Sequence, residues 1–278
     1  MKKRLAEKII VVLSLFSLIL FFEGIFTSKE VSADSQACSV NKTNCFNGFE
    51  HTFGAGGTAV TSVYADISTP SYMPTVGSQG SSSAWPMIVN DTKYVQVGWI
   101  KTNKFAGNYG SGGLGQVFPS DGEHFFYEIN YGYSSIGTSL GDYQVYSAKG
   151  PAAGSVNGYR VEKSGNYWAG EVNGNQIAAF PLSYDTDKFL YSGTAVQFSE
   201  EINSAVSNPQ SSAFAGGANY RSKFSNVRAF FNGKTYYSPS ITRYFTDTSA
   251  SQNRSHYGDT SVYSNQSNSY IEFWDSRY

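Results

Sequence analysis

Tyr94-Val95-Gln96-Val97-Gly98-Trp99 and Ala195-Val196-Gln197-Phe198-Ser199-Glu200-Glu201-Ile202 are the stretches whose alternation decides the fold class. Successive side chains of an extended strand point to opposite faces. The first stretch therefore sends Val95, Val97 and Trp99 to an apolar face and Tyr94, Gln96 and Gly98 to the other. The second sends Val196, Phe198 and Ile202 inward and Gln197, Ser199 and Glu201 outward. Glu200 falls among the apolar set, so on a regular strand it belongs near the core or a rim unless a bulge shifts the register.

Moving outward, similar short runs recur about every ten residues between Gly, Asn and Ser clusters. They cover Thr58 to Ser68, Ala84 to Val89, Tyr94 to Lys101, His124 to Tyr131, Gly141 to Ala148, Gly158 to Lys163, Tyr167 to Val172, Gln176 to Pro181, Ala195 to Ile202 and Lys223 to Phe231. Asn173-Gly174 and Asn232-Gly233 are hairpin signals, because a type I′ turn requires positive φ at both central positions. The chain has 21 Tyr, 20 Phe, 4 Trp and 28 Gly but is only 15% charged, a composition suited to pleated strands and tight turns. No amphipathic helix of useful length and no internal repeat is visible. These features predict an all-β domain of two packed antiparallel sheets, a β-sandwich over residues 54–240. Residues 241–278, rich in Ser, Asn and Tyr, read as an irregular C-terminal extension.

The amino end has the layout of an export signal. Lys2, Lys3, Arg4 and Lys8 precede the apolar run Ile9 to Phe22, and Val31-Ser32-Ala33 supplies small residues for cleavage. The run is 14 residues long, whereas a membrane-spanning helix needs about 20. Residues 1–33 are thus expected to be removed, leaving 245 of the 278 residues and a secreted, extracellular product, either free or wall-associated. Residues 34–53 are expected to form a short N-terminal segment with a small disulfide loop between Cys38 and Cys45, the two cysteines of the chain. A loop of that length stabilises by about 2.5 kcal/mol in the chain-entropy model.

Charge and spacing exclude several functions. Removing residues 1–33 takes away five basic and three acidic residues and shifts the net charge from −1 to −3, which attracts neither nucleic acid nor an anionic membrane. His51, His124 and His256 are scattered, so no metal site is expected, and no cofactor motif occurs. Gly110 to Gly115 is followed by neither Lys-Ser nor Lys-Thr and opens no helix, so it reads as a loop rather than a phosphate cradle. A monomer is expected.

Within this frame the chain resembles the glutamic peptidases called eqolisins (peptidase family G1) and, more distantly, the neprosins. The resemblance spans roughly residues 54 to 235. It begins at Gly56-Gly57-Thr58-Ala59-Val60 and continues through Tyr64-Ala65-Asp66-Ile67-Ser68-Thr69-Pro70. It is clearest at Ser83-Ala84-Trp85-Pro86-Met87-Ile88 followed by Val95-Gln96-Val97-Gly98-Trp99. It implies a concanavalin-like or jelly-roll-like sandwich, with Gln96 as the catalytic Gln after the Trp85-bearing strand. Tyr127-Glu128 resembles the family's aromatic-Glu pair, and Gln197-Phe198-Ser199-Glu200-Glu201 resembles the strand that closes on the catalytic Glu, which selects Glu201. Trp85, Tyr94, Tyr127, Glu128 and Gln197 are the expected substrate-binding residues, and the implied partner is a polypeptide.

The chemistry of such a pair is coherent. Glu201 as general base takes a proton from a shared water, the Gln96 amide donates to the developing oxyanion, and Glu201 then protonates the leaving amine. With an ordinary Glu pKa of about 4.3, this favours acidic pH. Two alternatives stand beside it. One is a glycoside hydrolase using Glu128 and Glu201, which requires the two carboxyl groups about 5 to 5.5 Å apart in a retaining enzyme. The other is a non-catalytic module binding carbohydrate or a surface.

Overall fold

The computed structural model describes residues 44–53, 60–70, 80–90, 93–103, 108–109, 116–117, 122–130, 142–184, 195–204, 216–217, 220–237, 242–244, 257–262 and 270–275. The expected export signal and Cys38 lie outside these residues. The strands are β1 (Asn44–Thr52), β2 (Val60–Ser68), β3 (Gly80–Asn90), β4 (Lys93–Thr102), β5 (Asn108–Tyr109), β6 (Gln116–Val117), β7 (Gly122–Asn130), β8 (Asp142–Tyr146) and β9 (Val156–Ser164). They continue with β10 (Tyr167–Val172), β11 (Asn175–Pro181), β12 (Ala195–Ser204), β13 (Gly216–Gly217), β14 (Tyr220–Phe231), β15 (Lys234–Tyr237), β16 (Thr242–Tyr244), β17 (Tyr257–Val262) and β18 (Tyr270–Asp275). One 3₁₀ turn, Leu182–Tyr184, follows β11.

Two large sheets result. A seven-stranded sheet runs in the order β16-β1-β12-β3-β4-β7-β8. A nine-stranded sheet runs β11-β10-β9-β2-β14-β13-β18-β17, with β15 pairing to β14. Neighbours are antiparallel apart from the short β13–β18 contact. The core forms where the inner faces meet. Val95, Val97 and Trp99 of β4 and Val196 and Phe198 of β12 join Val63, Ala65 and Ile67 of β2 and Tyr159 and Val161 of β9 in one buried cluster. This is the alternation that the sequence predicts, closed by a second sheet presenting its own apolar set.

The two predicted tight turns are present. Asn173 and Gly174 have φ of 52° and 75°, and Asn232 and Gly233 have φ of 51° and 71°. They join β10 to β11 and β14 to β15, as positive φ at both positions requires.

The domain edges differ from expectation. β16, β17 and β18 all come from residues 241–278, which the sequence assigns to an irregular extension. Ile271 and Phe273 of β18 are buried, and the Phe273 ring centroid lies 5.9 Å from that of Phe49 and 5.5 Å from that of Phe224. Likewise β1, from the segment placed outside the sandwich, lies between β12 and β16. The physical reason is length. Three to six residues of alternation inside a Ser- and Asn-rich stretch are too few to show a period, yet long-range pairing stabilises them once a partner strand is in place. Cys45 sits in β1 opposite Ile202. The expected pairing with Cys38 lies outside the described residues.

Candidate functional site

The outer face of the seven-stranded sheet carries the sequence-selected polar residues. Register links Glu50 of β1 to Gln197 of β12, Gln197 to Met87 of β3, Met87 to Gln96 of β4, Gln96 to Glu128 of β7 and Glu128 to Gln144 of β8. Antiparallel register places directly opposed residues on the same face. One row across six strands therefore contains two Gln–Glu pairs on either side of Met87. Gln96 Nε2 donates to Glu128 Oε2 at 2.9 Å. Gln197 Nε2 donates to Glu50 Oε2 at 2.6 Å.

Glu128 is the hub of the first pair. Its Oε1 also accepts from Tyr94 Oη at 2.9 Å and from Gln144 Nε2 at 2.9 Å. Tyr146 Oη in turn donates to Gln144 Oε1 at 3.1 Å, so Gln144 is itself oriented. Glu128 thus accepts hydrogen bonds from Tyr94, Gln96 and Gln144. An amide nitrogen carries two hydrogens, and Glu128 takes one from Gln96. The second remains for another acceptor.

Gln96 lies off the core face, as alternation expects, but it is not a solvated residue. It is 6% exposed, and its register partner Met87 belongs to a second apolar cluster with Trp85, Val89, Phe126 and Ala195. Trp85 belongs to this outer cluster, with its ring edge-on to Phe126 at 6.2 Å. Trp85 is paired with Ser199 on one side. On the other side it abuts Gly98, where an added Cβ would come within 2.7 Å of Trp85 Cβ and 2.1 Å of the Ala84 carbonyl oxygen. Gly98 is thus required by close strand approach, and small neighbours flank the indole.

Glu201 lies on the same face, opposite Ser83 of β3, and is partly exposed. Strand β3 and four residues of register separate it from Gln96, roughly 16 Å between backbones from strand spacing and rise. Trp85 lies midway along that line. The Gln96 amide is turned toward β7, away from β12, so the fold brings both residues to one face but, contrary to expectation, not close enough to share one water as they stand. Glu200 points the other way and is fully buried between the sheets.

Tyr127 is corrected by the structure. Alternation in β7 turns it inward, where it is fully buried and its hydroxyl donates to the Trp168 carbonyl at 2.9 Å. Burial, reinforced by nearby Tyr143, pushes its pKa well up and keeps it neutral. It is a core residue and cannot face substrate. The glycosidase pairing of Glu128 with Glu201 is also disfavoured. Strands β3 and β4 and four residues of register intervene, roughly 20 Å between backbones, far beyond a retaining or inverting pair.

Glu50 and Gln144 were not singled out by sequence reasoning. Gln144 follows by alternation in β8. Glu50 could have been found from Phe49 and Phe53, which alternate with it, had residues 44–52 been read as a strand. Among the described residues no group of three or more His, Cys, Asp or Glu is placed to hold a metal ion. No described helix is long and apolar enough to cross a membrane.

No family model matches the chain, and no curated protein matches it. Solved structures do. A scytalido-glutamic peptidase with a transition state analog inhibitor aligns at 13% identity and TM-score 0.50, covering 83% of this chain and 97% of that one. A scytalido-glutamic peptidase with a peptide based transition state analog aligns at 14% identity and TM-score 0.49, with the same coverage. A glycoside hydrolase family 16 endo-glucanase from Bacteroides ovatus aligns at 14% identity and TM-score 0.34, covering 67% of this chain and 82% of that one. At such identities the likeness is one of fold: the chain shares the β-sandwich of a glutamic peptidase at a distance.

Proposed function

We propose that the chain is a secreted endopeptidase of the glutamic type, acting at acidic pH on polypeptide laid across the outer face of the seven-stranded sheet. The observation that carries this reading is the Gln96–Glu128 hydrogen bond of 2.9 Å on the face that also bears Glu201. On this reading substrate lies over Trp85, and because the two backbones lie roughly 16 Å apart, the Glu201 and Gln96 side chains must extend toward each other over the indole to reach one scissile carbonyl. Glu201 is the general base and then the acid toward the leaving amine. Gln96 offers its second N–H to the oxyanion, with Glu128 fixing the plane of the amide. The low exposure of Gln96 favours strong hydrogen bonding to developing charge.

The deciding experiment uses protein beginning at Asp34 and a denatured protein substrate across pH 2 to 8. Cleavage at acidic pH that disappears in Glu201→Gln supports the reading. Folded protein that cleaves nothing in this range would instead mark a binding module. Mass spectrometry of secreted protein tests the maturation part: the chain should start at Asp34 with Cys38 joined to Cys45, and free thiols would overturn the disulfide.

A further inference from the structure

The outer face of the nine-stranded sheet carries a second cross-strand row. Tyr237 of β15, Arg228 of β14, Tyr64 of β2, Arg160 of β9 and Glu171 of β10 are successive register partners. They line an open cavity of about 430 Å³, a size typical of small-molecule sites.

The two arginines are held differently. Arg160 Nε and Nη2 meet Glu171 Oε2 at 2.9 and 2.8 Å, and Nη2 reaches Glu162 Oε2 at 2.9 Å, so this guanidinium is engaged by two carboxylates. Arg228 instead stacks over the Tyr64 ring, 4.1 Å from its centroid, and among the described residues it forms no ion pair. Tyr64 Oη donates to Asp66. Its pKa is pushed up to about 12, chiefly by burial and then by Asp66, so a neutral ring supports the cation. Exposed aromatic surface adjoins this guanidinium, since Phe230 is 39% and Tyr237 43% exposed.

We propose that this cavity binds an acidic saccharide. A guanidinium that forms no ion pair among the described residues and is seated over the Tyr64 ring presents a fork that matches one carboxylate. Glu162 and Glu171, held by Arg160 in the same cavity, are acceptors that sugar hydroxyl groups satisfy. Tyr237 and Phe230 offer apolar ring faces against the C–H face of a sugar. An acidic peptide supplies the carboxylate but not the array of hydroxyls. The site is independent of the hydrolytic reading, because it lies on the other sheet and shares no residue with it.

Calorimetric titration of the mature protein with tetragalacturonate, cellotetraose and tetraglutamate tests the proposal. Tetragalacturonate should bind at least about tenfold tighter than either of the others. Arg228→Gln and Tyr237→Ala, checked for folding by circular dichroism, should each weaken it by about tenfold or more. Arg228→Lys should fall between, since it keeps the charge and loses the fork. Gln96→Ala should leave binding unchanged. Equal binding of cellotetraose or tetraglutamate, no binding of any probe, or loss of binding in Gln96→Ala with none in the folded Arg228→Gln variant would overturn it.

Discussion

The outer faces of the two sheets solve one problem in opposite ways. On the seven-stranded sheet, polar residues are neutral amides paired with carboxylates and lie in or beside an apolar cluster around Trp85 and Phe126. On the nine-stranded sheet, polar residues are arginines stacked on or bridged to their neighbours, and Arg160 is 41% exposed at its side chain. Burial decides the difference. A charge of either sign on the first face carries a desolvation cost, which the donors Tyr94, Gln96 and Gln144 offset for Glu128, whereas the arginines of the second face stay in contact with water. The first face is therefore built for orientation at low dielectric, and the second for recognition in contact with water.

The largest expected effects break the first face. Glu201→Gln should abolish peptide hydrolysis, and Gln96→Ala should lower kcat by about a hundredfold or more, read by single-substrate kinetics at acidic pH. Glu128→Gln sharpens the assignment. Because Glu128 touches Gln96 and fixes its plane, its loss should lower kcat by about tenfold with little change in KM. A substrate-binding role alone would raise KM and leave kcat in place.

Stability comes next. Gly98→Ala forces a Cβ against the Ala84 carbonyl and should cost about 1 to 3 kcal/mol in urea unfolding. Tyr127→Phe leaves the Trp168 carbonyl without its donor and should cost about 1 to 2 kcal/mol, with no change in activity per folded molecule. An activity loss without a stability loss would return Tyr127 to the substrate side.

The smallest effects belong to the second face. The raised Tyr64 pKa means that between about pH 10 and 12 the folded state binds more protons than the unfolded one. That contribution to stability is present below pH 10 and is lost as pH rises toward 12. Urea midpoints measured across this window should fall less steeply in Tyr64→Phe than in the parent chain. Arg160→Ala removes partly exposed ion pairs and should change stability by about 1 kcal/mol or less, diminishing with added salt.

Legibility followed the length of each alternating run. Ten residues of β4 and ten of β12 were enough to orient Gln96 and Glu201 outward and Glu200 inward. Six residues of β18 were not enough, although Phe273 at their centre is fully buried in the core. Tyr127 departs from the expectation for another reason. A motif likeness places Tyr127 and Glu128 together, but neighbours in a strand face opposite ways, and only Glu128 reaches the site.

From the sequence alone came the all-β class, the inward and outward sets of the longer strands, and the two Asn-Gly hairpins. These are local properties, written in a two-residue period and in positive φ. Strand order and register came from the tertiary structure. They chose Glu128 as the partner of Gln96, placed Trp85 midway to Glu201, recruited Glu50 from a segment read as peripheral, and aligned Tyr237, Arg228, Tyr64 and Arg160 on the opposite sheet. Pairing between strands distant in sequence depends on how well whole faces bury against each other, and no local pattern carries that information.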